Sequence, residues 1–303
     1  MTTTDDSSKR PIFRETIEPN SIEVRQRLIK KVQEKLGTAL IIYTANLEAI
    51  GSSIMIQDAL LFEDVLRSVA DKKKGTLMIT SAGGDPNAAE KLMLMCRKRF
   101  TEKFQILVPF YAKSAATLMC LGADKILMGY GAELGPIDPQ ILLRPGKITP
   151  ASAIIDSLKY IMDKIKGGDP IQLYYPMLNE IKPEWIAICQ RAIEDSRSTA
   201  EKWLKEYMLK NNQDQAKQVT ILLSDGKTYK SHGKPIDFQE AKNVLQLNVD
   251  QLDNSSEIWQ EVWELFTRSA MWIHQNRVAK LFESGSASLN MSVNLTRIES
   301  PKE

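Results

Sequence analysis

Between residues 38 and 129, short β-rich apolar runs alternate with stretches of helical periodicity, and no other feature limits the possible folds as strongly. The runs are TALIIYTANL (38–47), GTLMITS (75–81), FQILVPF (104–110) and DKILMG (124–129), with helical patterns over 56–71, 86–100 and 114–122. Strands that are apolar on both faces must be covered on both faces. Crossover helices between parallel strands achieve this, so the pattern predicts an α/β fold: a parallel sheet of βα repeats flanked by helices.

The remaining chain is organised around that repeat. Residues 1–19 are polar, contain Pro11 and Pro19 and lack periodicity, which predicts a flexible N-terminal arm. From Asn20 the spacing of Ile22, Leu28, Ile29, Val32 and Leu36 predicts an amphipathic helix closed by Gly37. The stretch 131–150 holds four prolines and three glycines. That content excludes a continuous helix or a central strand and leaves an ordered loop or arm. Helical patterns return at 151–166, 183–210 and 256–282, with a short unit at 224–250 before the last. Alternation at Leu289, Met291, Val293 and Leu295 predicts one late strand, at an edge or exchanged. At 303 residues the chain is long enough for one large domain with additions or for two closely packed units. The division expected is an arm at 1–19, a core domain at 20–250, and a C-terminal helix and tail at 251–303 that supply oligomer contacts.

Composition removes several functional classes. Forty Lys and Arg against 38 Asp and Glu give a formal charge of +2, so neither nucleic acid nor an anionic membrane is the expected partner. The run Lys72-Lys73-Lys74 reads as a solvated turn. Three cysteines, Cys96, Cys120 and Cys189, are an odd number without Cys-x-x-Cys spacing, which argues against a disulfide framework or a zinc site and fits a reducing cytoplasm. No apolar stretch approaches the roughly 20 residues of a membrane span, and the opening MTTTDDSSKRP lacks the apolar segment of a secretory leader. A soluble, cytoplasmic chain without metal or cofactor is expected.

Two places can carry chemistry. The strand at 75–81 runs into Ser81-Ala82-Gly83-Gly84-Asp85-Pro86-Asn87, where paired glycines leave amides unshielded beside a helix start. Such a turn binds a phosphate or a developing oxyanion, or is simply tight; the G-x-G-x-x-G and Walker patterns are absent. The strand at 104–110 leads to Ala112-Lys113-Ser114-Ala115-Ala116-Thr117, which places Ser114 at a helix start on the carboxyl edge of the sheet. Open α/β sheets bind ligands at that edge, although a serine there also caps helices. His274, among Trp272, Ile273 and Val278, reads as a structural histidine; Met93, Met95, Trp259 and Trp263 read as core or subunit contacts.

The succession of these segments resembles the Clp protease and crotonase superfamily and, within it, the serine dehydrogenase proteinase family, relatives of signal peptide peptidase A. The carrying residues are ITSAGGDPNAAEKL (79–92), VPFYAKSAATLMCLGADKILMG (108–129), AELGPIDPQ (132–140) and SHGKPIDFQEA (231–241), just over half of the chain. The resemblance implies a Clp/crotonase-like sheet with added C-terminal helices. It makes Ser114 the nucleophile and the Gly83-Gly84 turn, through the Gly84 amide, and the Ala115 amide the oxyanion donors. The general base stays open. Where the Clp subunit has its histidine this chain has Asp138, and His232 falls near the place of the Clp aspartate, which implies a triad of Ser114, His232 and Asp138 with acid and imidazole exchanged. Signal peptide peptidase A uses a Ser-Lys dyad, and Lys159, Lys164 and Lys166 occupy the corresponding window. Lys113 is expected to face away and to assist substrate or cap a partner charge.

The function expected is a serine endopeptidase of the Clp and signal peptide peptidase A type, assembled as a homo-oligomer through helices 183–210 and 256–282, that forms an acyl-enzyme at Ser114 with peptides or unfolded proteins. An ATPase partner is neither implied nor excluded by the sequence. Two alternatives are a crotonase-like acyl-CoA enzyme, which would not need Ser114, and a catalytically silent scaffold or partner-binding subunit.

Overall fold

The computed structural model describes residues 20–144 and 147–292. The arm at 1–19 and the Val293 and Leu295 end of the late strand lie outside the described residues.

The first helix, α1 (Ile22–Leu36), starts where Ser21 Oγ accepts from the Val24 amide and stops at Gly37, whose N–H donates to Gln33 O. Alternating elements follow: β1 (Ala39–Ala45), α2 (Asp58–Arg67), β2 (Lys74–Thr80), α3 (Pro86–Arg99), β3 (Lys103–Val108), β4 (Tyr111–Ala112), α4 (Ala115–Leu121) and β5 (Lys125–Met128). After β6 (Glu133–Leu134) come the hairpin β7 (Gln140–Arg144) and β8 (Lys147–Pro150), then α5 (Ala151–Lys166), α6 (Tyr175–Leu178), α7 (Pro183–Glu206) and α8 (Gln213–Ser224). The described residues end with β9 (Val249–Gln251), α9 (Glu257–Gln275), β10 (Val278–Glu283) and β11 (Ser288–Ser292).

Seven strands form the main sheet in the order β11-β10-β1-β2-β3-β5-β9. The five from β1 to β9 are parallel, and β10 and β11 are antiparallel additions. Side chains alternate across it. Ile41, Tyr43, Leu77, Ile79, Ile106 and Val108 face a cluster with residues of α2, α3, α4, α7 and α8. Leu40, Ile42, Met78 and Leu107 face Leu28, Ile29 and Val32 of α1 and Trp259, Val262 and Leu265 of α9. The sheet is therefore sandwiched between helices, as its apolar strands require. Truncating one of these buried leucines to alanine costs about 2–5 kcal/mol.

Four of the predicted strands, and the helices beginning at 86, 114, 151 and 183, are present close to their expected limits. Elsewhere the structure departs from that pattern or adds to it. The helical pattern at 256–282 ends at Gln275, and 278–283 is instead β10, inside the sheet with Ala45 opposite Lys280 and Tyr43 opposite Phe282. Its charges disguise it as a surface segment, yet both are buried in pairs, Lys280 with Asp58 and Glu283 with Arg25. Because β10 and β11 join the same sheet as β1, residue 250 marks no break in that sheet. The proline-rich stretch folds into β6 and the β7–β8 hairpin, and α8 had no counterpart in the sequence reading. The late strand is found at the sheet edge as β11. Among the described residues no helix is long and apolar enough to cross a membrane.

Candidate active site

The carboxyl ends of β2 and β3 are joined through β4. Ser81 N donates to Tyr111 O at 3.3 Å and Lys113 N to Ser81 O at 3.0 Å, which sets the residues before α4 directly against the Gly-Gly turn. Both glycines are required by space. A Cβ on Gly83, at φ 102°, would stand 2.7 Å from Ser114 Cβ and from Lys113 O. A Cβ on Gly84 would stand 2.4 Å from the backbone N and O of Ile54. Ile54 N donates to Gly83 O and Asp85 N to Ile54 O, each at 2.9 Å. Those two bonds bracket Gly84 and turn its own amide away from Ile54, as in any strand ladder.

Ser114 has φ 52° and ψ −120°, a backbone conformation that costs a non-glycine residue on the order of 1–3 kcal/mol and persists only where the surroundings enforce it. The enforcing contacts are visible. Thr117 Oγ1 donates to Ala112 O at 2.6 Å and accepts from Gly135 N at 3.1 Å. Lys113 Nζ lies 2.6 Å from Glu133 Oε1 and donates to Leu134 O at 3.0 Å, so this lysine caps a carboxylate within its own chain. The Ser114 side chain does not cap α4. It lines a cleft of about 260 Å³ with Gly84, Ala115, Leu118, Ile137 and Ile141. Among the described residues, the Ser114 hydroxyl and the amides of Gly84 and Ala115 have no hydrogen-bond partner.

Asp138 and His232 do meet. His232 Nδ1 lies 2.8 Å from Asp138 Oδ1, and Gln140 Nε2 donates to Asp138 Oδ2 at 2.9 Å. The Asp138 side chain is 4% exposed and that of His232 28%, so the carboxylate is inside and the imidazole is half-open. The segment is pinned by Ile137 N on Leu223 O, by Ser196 Oγ on Ile137 O and by reciprocal bonds between Leu134 and Ile236. Ile137, Pro139 and Gln140 line the cleft on either side of Asp138. Among the described residues no hydrogen bond joins this pair to the Ser114 hydroxyl.

Lys159, Lys164 and Lys166 are exposed on α5 and do not line the cleft beside Ser114. His274 is exposed at 75%, with Nδ1 3.8 Å from Glu48, and is not the satisfied structural histidine expected from its apolar neighbours. All three cysteines are free and buried, and burial pushes the thiols of Cys96, Cys120 and Cys189 up, which makes them poor competing nucleophiles. Among the described residues no group of three His, Cys, Asp or Glu side chains is placed to hold a metal. The sequence reading missed Ile54. Its contribution is a backbone one, and no side-chain type could have announced it.

The profile of the ClpP-like SDH-type serine proteinases matches residues 12–281. The chain belongs to that family. Two proteins of Methanocaldococcus jannaschii are similar to this SDH-type proteinase. The uncharacterized protein MJ0137 is 28% identical over 235 residues, 75% of this chain and 73% of its own length. The uncharacterized protein MJ1495 is 26% identical over 253 residues, 79% and 76% of the two chains. Among solved structures, a serine-to-alanine variant of the 1510-N membrane-bound stomatin-specific protease overlaps with a TM-score of 0.41 at 13% identity, over 76% of this chain and 85% of that one. A lysine-to-alanine variant of the same protease in complex with a substrate peptide gives 0.42 at 15% identity, over 84% and 89%. The family match bears out the resemblance carried by residues 79–92, 108–129, 132–140 and 231–241, and a serine peptidase is the activity it supports.

Proposed function

We propose that this SDH-type proteinase is an endopeptidase that cleaves peptide bonds through an acyl-enzyme on Ser114 Oγ. The hydroxyl attacks the scissile carbonyl carbon, and the amides of Gly84 and Ala115 receive the negative oxygen of the tetrahedral intermediate. Each such donor is worth about 10²–10³ in rate. The Asp138–His232 pair takes the hydroxyl proton. With Nδ1 held by Asp138, Nε2 is the basic atom, and contact with Ser114 is completed when substrate fills the cleft, since catalytic hydrogen bonds often tighten only in the bound complex. The proton then passes to the leaving amine, and water releases the acyl group by the reverse sequence.

One observation carries this reading: an uncapped serine, enforced in a costly backbone conformation, faces a cleft beside two unpartnered amides. A fluorophosphonate probe tests it. Stoichiometric labelling at Ser114, lost in Ser114→Ala, is the expected result. Absence of labelling in the purified, assembled protein would show a silent scaffold instead, and coenzyme A binding indifferent to Ser114→Ala would show an acyl-CoA enzyme. The same reading makes the chain a cytoplasmic homo-oligomer acting on peptides or unfolded segments; a monomer by light scattering would remove the assembly.

A further inference from the structure

Behind the Gly-Gly turn lies a buried polar cluster that the proposed reaction does not touch. Asp58 at the start of α2 and Lys280 in β10 have fully buried side chains. Lys280 Nζ donates to Asp58 Oδ1 at 2.5 Å and to Ser53 O at 2.7 Å. Asp58 Oδ2 accepts from Tyr43 Oη at 2.7 Å and from Met55 N at 3.0 Å. Burial pulls the Lys280 ammonium below the ordinary lysine range, against the opposing pull of Asp58. A pair this deep loses about as much in desolvation as it regains by attraction, and apolar replacements of such pairs are often neutral or stabilising. Stability alone therefore gives a weak reason for it.

Its position gives a stronger one. The cluster grips Ser53 O and Met55 N, on either side of Ile54. Ile54 in turn spends its own N–H on Gly83 O and its carbonyl on Asp85 N, the two bonds that aim the Gly84 amide. The far ends of the cluster, Tyr43 and Lys280, stand on the adjacent strands β1 and β10, so the rigid sheet is the anchor.

We infer that Lys280 and Asp58 are positioning residues that hold segment 53–58 against the Gly-Gly turn and thereby direct the Gly84 N–H into the Ser114 cleft. The inference rests on the proposed oxyanion role of Gly84. It accounts for a lysine in the interior of a sheet, where an apolar side chain would serve packing as well.

The test uses the full chain and three variants, the third being Ser114→Ala. Lys280→Met with Asp58→Asn removes both charges together and avoids a lone buried ion; Tyr43→Phe removes a single bond from Asp58 at constant charge. In the double variant kcat on a peptide ester should fall about 10–100-fold, short of full loss of an oxyanion donor, while KM changes little. Amide hydrogen exchange at Ile54 and Asp85 should accelerate at the same time, and Tyr43→Phe should show the same pattern more weakly. Wild-type kcat, or undisturbed exchange at those two amides, in the folded double variant overturns the inference. If the double variant does not fold, unchanged kcat and exchange in Tyr43→Phe overturn it. Ser114→Ala separates the two claims, because it should abolish labelling and leave the exchange of Ile54 and Asp85 as in the wild type. If the wild type itself takes no label, the nucleophile reading fails, and the aim of Gly84 loses its catalytic meaning.

Discussion

The corner formed by Gly83, Gly84 and Ser114 is fixed by backbone, whereas the pair of Asp138 and His232 is fixed by side chains 94 residues apart in sequence. The corner is assembled from two neighbouring strand ends, and its tolerances are those of close-packed main chain: a single methyl group on either glycine would collide with atoms 2.4–2.7 Å away. The pair depends on a loop pinned by four backbone or hydroxyl bonds, and its imidazole stays partly open to solvent. On the roles proposed above, the anion-binding half is complete before substrate arrives, while the proton-accepting half is left to close on it.

The comparison can be broken most easily at the side-chain half. His232→Ala should slow acylation by a factor on the order of 10²–10⁴ without loss of folding, measured as the rate of fluorophosphonate labelling. Full-rate labelling in that variant would detach the pair from the reaction. At the backbone half, Gly84→Ala should lower kcat by about 10²–10³ and also shift the thermal midpoint down, because its Cβ must displace Ile54. A variant with native kcat would show that the turn donates nothing to the oxyanion. The smallest effect is expected for Lys159→Ala, Lys164→Ala and Lys166→Ala combined, which should leave labelling and hydrolysis unchanged. Loss of activity there would move the base from His232 to a lysine and make the Asp138 pair structural.

How much of this was legible in the sequence follows the same divide. The βα repeat and the Ser114 turn were readable because local rules write them: strand runs apolar on both faces, adjacent glycines, a serine at a helix start. Asp138 and His232 were paired from resemblance, and their 2.8 Å contact supports that pairing without reaching Ser114. What sequence could not show is long-range and main-chain in nature. Ile54 acts through its peptide groups, and β10 reads as the end of the helix at 256–282 although Lys280 and Glu283 are buried in the sheet. Their partners, Asp58 and Arg25, lie 222 and 258 residues away, and only the folded sheet brings those charges together. His274 erred in the other direction, since apolar neighbours in sequence do not fix which face of α9 a residue occupies.

The phosphonylated adduct of the wild-type chain, solved as a crystal structure, addresses the central claim most directly. The predicted result is phosphorus bonded to Ser114 Oγ with its free oxygen about 3 Å from the amides of both Gly84 and Ala115. An adduct on another residue, or one on Ser114 whose oxygen points away from those two amides, would contradict the account.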